Sequence, residues 1–452
     1  SDAAQINVNS SSAVFYPEKR PFFLDGANIF NSYINVVYTR MLNNPLYTAK
    51  LIGKIDDIDV GYLMGYDQST PYIIPTKYGS DFIQTDLRSF GNALRLKKSL
   101  KGSSFIGFIG TDHETVDSYN RVAGFDGSFN FAEKYYFNWE ALGYFTKEMN
   151  DTSIYDNSVK INSKGNDAGF NGEKLTGFGG TFSLVRSSRH WNGEIFMNIA
   201  PPEARRELGY VAKNDFRELG VWSGYTFYPK NSIVLRFEPN FDAGFQYDYD
   251  GRIKEQWLAP KFYLQLKHQV SLSGGYLAVN NENYYDVYHK NVHRGWMELN
   301  VNTSSKATGG AYFELGKYIV RFEEPSYVGW GWIAEAWMTV KPLHNLVLEN
   351  NYSYFELSKE RGGEKLYTGY IFRNKTSFQF TRKFFLRLIM QYDSFSKSFD
   401  IDPLLSYKWN PFTIFYIGST HNLADIGTSP NHGRFLETKR QFFAKFQYLI
   451  KL

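Results

Sequence analysis

The stretch Ile233-Val234-Leu235-Arg236-Phe237-Glu238-Pro239-Asn240-Phe241-Asp242-Ala243-Gly244-Phe245-Gln246-Tyr247-Asp248-Tyr249-Asp250 decides the fold. Its odd positions are apolar or aromatic; its even positions, after Val234, carry Arg236, Glu238, Asn240, Asp242, Gln246, Asp248 and Asp250. A period of two puts one set on each face of a sheet. Soluble strands usually run about five or six residues, and this alternation persists far beyond that.

The pattern recurs along the chain. Phe384, Leu386, Leu388, Met390 and Tyr392 alternate with Arg387, Gln391 and Asp393; Leu346, Leu348, Tyr352 and Tyr354 alternate with Glu349, Asn351 and Ser353. A helix would need apolar residues at i, i+3, i+4 and i+7, where these segments place charge. Of the 452 residues, 18% are aromatic (39 Phe, 34 Tyr, 9 Trp) and 43% hydrophobic, with a mean hydropathy of −0.41, so the apolar residues are interspersed. No run approaches the roughly 18 apolar residues of a spanning helix. A β-sandwich or propeller is the soluble alternative, but the segment lengths and the aromatics at segment ends fit a membrane barrel. The expected fold is therefore all-β: a transmembrane antiparallel β-barrel.

The alternation gives 22 spans, from 33–42, 46–55 and 58–67 through to 411–422 and 436–451, with 20 as the alternative count. Tight connections such as Asp56-Asp57, Lys101-Gly102 and Arg382-Lys383 occur at every second connection. Longer polar ones, including 68–85, 148–172, 201–216 and 423–435, fall between them, as a barrel with short periplasmic turns and long external loops requires. An even count places both termini in the periplasm. Phe442, Phe446, Tyr448, Ile450 and Leu452 form an outward apolar row reaching the last residue. The division expected is an N-terminal plug or linker, 1–32, followed by the barrel, 33–452. Ser1 to Gln5 shows neither a basic nor an apolar leader region, so an export signal was removed or the chain starts within a longer protein.

In residues 1–32, Pro17-Glu18-Lys19-Arg20-Pro21-Phe22-Phe23 stands out. Two prolines four apart exclude a helix interior and a central strand. Exposed Phe22, Phe23 and Leu24 would forgo burial, which favours a segment folded into or across the barrel mouth over a flexible linker.

The run Phe15 to Gly26, with Tyr38-Thr39-Arg40, Ala49 to Lys54, Gly91 to Lys97 and Ser103 to Gly107, resembles a bacterial family of outer-membrane proteins. In that family a module like those of carbohydrate-binding family 9 precedes a barrel domain of unassigned function. Asp25 stands where the family has Glu, and Met41 where it has a basic residue. The resemblance implies an upstream signal peptide and sugar-binding-type module, a bacterial outer-membrane location and no catalytic residues. It also implies a plug or structural role for Pro17, Glu18, Lys19, Arg20, Pro21, Phe22 and Phe23.

Other chemistry is thin. The chain has no Cys, which removes disulfides, thiolate metal sites and thiol nucleophiles. A formal net charge of +4 with both signs scattered lacks the basic stripe that nucleic acid requires. His113 sits on the strand face opposite Asp112 and Glu114, so no triad converges. His289 and His293 have ligand spacing only on a helix, and they precede a strand. The acidic loop of Asp151, Asp156 and Asp167 does not match the hand-type calcium loop. No catalytic residue, metal or cofactor is expected; the partners expected are outer-membrane lipid and other outer-membrane or periplasmic proteins.

What remains is the inward face: Arg236, Glu238, Asp242, Asp248, Lys261, Lys267, Glu335, Glu349 and Arg387. These charges line a solute path, or pair with one another or with a plug. A ring of about 22 strands is wide enough to enclose a plug. Two functions follow: a plugged conduit for a solute such as a glycan or peptide, or a structural, anchoring barrel within a larger outer-membrane complex. Active import through an inner-membrane energy coupler would call for a coupling box and a plug of more than about a hundred residues, and neither is visible here.

Overall fold

The computed structural model describes residues 9–410, 413–425 and 435–448. In chain order, β1 (Pro45–Ile55) and β2 (Ile58–Asp67) form a hairpin. The next connection holds a separate hairpin of β3 (Pro71–Pro75) and β4 (Ser80–Gln84). The main sheet continues through β5 (Ser89–Ser99), β6 (Phe105–Thr115), β7 (Ser118–Phe131), β8 (Tyr135–Lys147), β9 (Lys174–Arg186), β10 (Trp191–Ala200), β11 (Phe216–Tyr225), β12 (Val234–Tyr247) and β13 (Ile253–Leu266). After these come β14 (Val270–Tyr276), β15 (Val279–Tyr284), β16 (Val287–His289), β17 (Arg294–Val301), β18 (Ala307–Val320), β19 (Tyr327–Leu343) and β20 (Leu346–Ser358). The sheet ends with β21 (Lys365–Gln379), β22 (Phe384–Asp393), β23 (Ser398–Asn410), β24 (Thr413–Asp425) and β25 (Phe435–Tyr448).

Every pairing in this 23-stranded sheet is antiparallel, and most strands pair with the sheet strands that precede and follow them in the chain. β14 and β15 both pair with β13, while β17 pairs with β14 and β16 with β15. Each of those two couples is thus one stave broken in the middle, and the described sheet has 21 staves. Every span read from the alternation falls on one stave, except the first. Residues 33–42 contain no strand. Their apolar residues pack inside the barrel: Val36, Met41 and Leu42 are buried, the Tyr38 N–H donates to the Leu208 carbonyl (2.6 Å), and the Tyr210 N–H donates to that of Asn35 (3.1 Å). Alternation there reflects a chain sandwiched between the wall and an infolded loop. Ile450, Leu452, the two termini and most of the last long loop lie outside the described residues.

The wall has the two faces expected of it. On β12, Phe237, Phe241, Phe245 and Tyr247 are exposed, whereas Glu238 and Gln246, on the opposite face, are buried. The long connections, 68–88, 148–173 and 201–215, all leave from one end of the barrel, and β1–β2, β5–β6 and β7–β8 turn tightly at the other. Three apolar clusters fill the lumen behind β2 and β5 to β9. One joins Phe23, Phe30, Tyr38, Met41, Leu42 and Leu208 to Leu63 and Ala93 of the wall. A second packs Tyr72 and Ile74 against Met149, Ile161 and Phe170. In the third, Val36 and Ala204 meet Ile109, Val122, Leu142 and Tyr144.

Candidate functional site: the lumen and its infolded segment

Residues 9–44 start by the end of β18, run among the long connections and down against β1 and β2, reach β8 and return to the start of β1. Near the top, the Asn9 side-chain amide donates to the Ile319 carbonyl (2.7 Å) and its oxygen accepts from the Arg321 N–H (2.7 Å). The Ser12 hydroxyl donates to the Ala212 carbonyl (3.0 Å). Lower down, the Lys50 ammonium donates to the carbonyls of Phe22 and Asp25. At the inner face of β8, the Ile34 N–H donates to Glu140 (2.7 Å).

The Pro17 to Phe23 run clasps the two arms together. Glu18 accepts from the backbone N–H groups of Lys19 and Arg20 (2.8 Å each), the Arg20 guanidinium (2.7 and 2.9 Å) and the Thr39 hydroxyl (2.7 Å). Burial alone would raise the Glu18 pKa, but the hydrogen bonds from Arg20 and Thr39 outweigh it and hold the carboxyl at about 2. Arg20 then donates to the carbonyls of Leu42 (2.5 Å) and Thr39 (2.7 Å) and stacks over Phe23 at 4.1 Å. Arg40 returns the tie by donating to the Pro17 carbonyl (2.9 Å). Pro21 opens a one-turn helix, Pro21–Leu24, a position where its missing N–H costs nothing. Phe23 is buried, Phe22 is exposed under the Lys50 ammonium, and Lys19 faces out.

The inward charges are mostly paired. Arg236 bridges to Glu238 and Lys261 to Asp242; Lys375 meets Glu349 at 2.6 Å, and Lys77 meets Asp248 at 2.7 Å. Burial would raise the Asp248 pKa, but hydrogen bonds from Lys77 and the Arg252 N–H lower it. Glu335 faces Glu298 and Glu314, and Arg294 bridges Glu314 at 2.9 Å. Arg387 lines a cavity of about 520 Å³ with His344, Lys375, Ser406 and Tyr416. Lys267 lies instead in the turn after β13, exposed.

Sequence reasoning missed a second set of charges, within the wall and between the wall and the infolded loops. Arg95 pairs with Asp126 beside Glu140. His113 reaches Glu207 of an infolded loop at 2.7 Å, and Arg205 of the same loop reaches Glu148 at 2.6 Å. The available signal was the opposite charge of Arg95 and Asp126 on inward positions of neighbouring strands; their pairing across β6 required the fold. His289 and His293 diverge, toward the Ser326 hydroxyl (2.9 Å) and the Leu277 carbonyl (3.1 Å). Asp167 accepts from the Gly169 N–H (3.0 Å) and the Asn171 amide (2.9 Å) of its own loop. At the mouth, a cavity of about 690 Å³ is lined by Ser10, Ser12, Tyr16, Arg40, Asp81 and Phe82.

No family model matches the chain, and no curated protein matches it by sequence. Solved structures do match. The siderophore receptor PirA from Pseudomonas aeruginosa is 10% identical, with a TM-score of 0.53 over 89% of this chain and 75% of that one. The copper transporter OprC is 8% identical, with a TM-score of 0.53 over 90% and 78%. The ferric-catecholate import receptor Fiu from E. coli K12 is 9% identical, with a TM-score of 0.50 over 89% and 79%. The shared fold and the outward apolar belt make this chain a β-barrel of the bacterial outer membrane.

Proposed function

We propose that the chain is a plugged conduit that admits a solute through the outer membrane, with residues 9–44 as the plug. One observation carries this reading: the two arms of the infolded segment are tied to each other by a polar clasp, Glu18–Arg20–Thr39, and polar cavities lie at the mouth and along the opposite inner wall. A clasp made of charge-assisted hydrogen bonds can be opened without unpacking the wall. The transport roles in the names of OprC and Fiu support passage of a solute. Serine and tyrosine hydroxyls with Arg40 and Asp81 at the mouth suit a polar, hydrogen-bonding solute such as a glycan or a peptide. The resemblance to barrels that follow a sugar-binding-type module favours the glycan.

Liposome swelling with a size series of neutral oligosaccharides and of short peptides tests this. Swelling that is slow for the native chain and faster for Arg20→Ala, with oligosaccharides ahead of peptides of equal mass, is expected. No swelling for either protein would favour the second reading, a barrel serving as anchor within a larger outer-membrane complex. The mutual pairing of Arg236 with Glu238 and of Lys261 with Asp242 supports that alternative.

A further inference from the structure

The infolded segment and loops pack behind β2 and β5 to β9. Along β20 to β24 the inner wall carries instead, near its short-turn end, the cavity of about 520 Å³. The strand registers put its lining on one face: Ser377 stands opposite Arg387, Arg387 opposite Leu404, Phe385 opposite Ser406, and Ser406 opposite Tyr416. Two lysines extend that face. Lys408 lies two residues beyond Ser406 on β23, and Lys445 of β25 stands opposite Tyr416. Lys375, Arg387, Lys408 and Lys445 thus gather on β21, β22, β23 and β25, and Arg387 and Lys445 are exposed to the lumen. Counter-charge is scarce there. The register row Glu349–Lys375–Ile389–Asp402 holds the last carboxylates of this face toward the short turns. Glu349 is taken by Lys375 at 2.6 Å, and Asp402 is buried. Beyond that row, the inner positions of β20 to β25 carry no Asp or Glu among the described residues.

A cleft lined by charges of one sign between low-dielectric walls concentrates the opposite charge, and pores for anions are built from Arg and Lys rings. The planar guanidinium of Arg387 matches the two oxygens of a carboxylate or sulfate. Ser377, Gln379, Ser406 and Tyr416 add hydroxyl and amide groups to the same cavity, and Phe385 adds an aromatic ring. Few precisely placed polar groups beside an apolar surface are what a small ligand's pocket offers. Here the polar groups suit sugar hydroxyls, and the ring suits the apolar face of a pyranose. We infer that this cavity binds an acidic glycan, with Arg387 holding a carboxylate or sulfate group and Lys375, Lys408 and Lys445 keeping the surrounding field positive. That the bound glycan is also the solute admitted rests on the conduit reading above.

Isothermal titration of the full chain in detergent tests this, with heat-modifiable migration confirming that each variant is folded. The probes are tetragalacturonate, a sulfated tetrasaccharide, neutral maltotetraose and tetraglutamate. At least one acidic sugar is expected to bind about tenfold or more tighter than maltotetraose, and the tighter of the two identifies the charged group. Arg387→Gln should remove that preference, Arg387→Lys should retain part of it, and Lys445→Gln should weaken it. Lys164→Gln, which removes a charge from an external loop, should leave it intact. Equal affinity for acidic and neutral sugars would overturn the inference, as would an acidic preference untouched by Arg387→Gln or lost equally in Lys164→Gln. Tetraglutamate binding tighter than either acidic sugar would overturn it in favour of an acidic peptide. An Arg387-dependent acidic preference in a chain that passes no solute into liposomes would retain this site and refute the conduit, so the two failures are distinct.

Discussion

Arg95 and Asp126 meet across a strand to which neither belongs. Arg95 is on β5 and Asp126 on β7, and their bidentate contact (2.5 and 2.6 Å) passes over β6 at Gly107. A Cβ at Gly107 would lie 2.5 Å from the Asp126 carboxylate and 2.6 Å from the Arg95 guanidinium. Both partners are essentially without solvent exposure, and Glu140, beside them, accepts from the Ile34 N–H of the infolded segment. The pair thus fixes the wall against which the infolded segment packs.

Arg95→Met leaves Asp126 as an uncompensated buried charge. Loss of about 3 to 5 kcal/mol is expected, read as a lowered urea midpoint for the folded, heat-modifiable form in detergent. Gly107→Val should act in the same direction by forcing the two groups apart. A midpoint unchanged in both variants would contradict this role.

The Glu18 clasp should respond to acid. Its folded-state pKa, about 2, lies below the ordinary 4.5, so the unfolded or opened form binds the proton more readily. The clasp's contribution is complete above about pH 4.5 and is lost as pH falls toward 2. Proteolysis of the N-terminal segment by an acid-active protease should therefore accelerate between pH 4.5 and 2. Glu18→Gln should cleave faster at pH 5 and show little of that pH dependence.

Gly79 brings the β3–β4 hairpin against Ser11 of the infolded segment. A Cβ there would stand 1.5 Å from the Ser11 carbonyl oxygen, so no side chain fits while the Ser11–Ser80 hydrogen bond persists. Gly79→Ala should cost about 1 to 3 kcal/mol locally and expose residues 9–16 to proteolysis, with the urea midpoint of the wall little changed.

The inside and outside of the wall can be tested by charge. Leu388 lies on the lipid face, paired with Thr376, while Ser377 faces the lumen cavity beside Arg387. Leu388→Arg should cost about 2 to 4 kcal/mol near the membrane midplane. Ser377→Arg should fold with nearly native stability in the same urea titration. Equal costs would reverse the assignment.

The sequence made the wall legible because lipid on one side and a polar lumen on the other impose a strict period of two, as in Phe237 and Phe241 against Glu238 and Asp242. The segment 33–42 misled for the same reason: Val36 and Tyr38 alternate because they are packed on two sides, and period alone does not distinguish a wall from a chain inside it. Pro17 to Phe23 stood out as a motif, yet its partners Thr39 and Leu42 are set by a reversal of the chain that no local signal encodes. Pairings such as Arg95 with Asp126 and His113 with Glu207 were hidden because they join strands and loops far apart in sequence.

The central claim, a conduit closed by residues 9–44, is tested most directly by single-channel conductance in a planar bilayer, comparing the native chain, a Glu18→Ala/Arg20→Ala double variant and a variant lacking residues 1–32. The account predicts little conductance for the native chain, intermittent openings when the clasp is removed, and a large steady conductance after the deletion. Silence in all three, from protein shown to be folded and inserted, would contradict it and leave the barrel as an anchor.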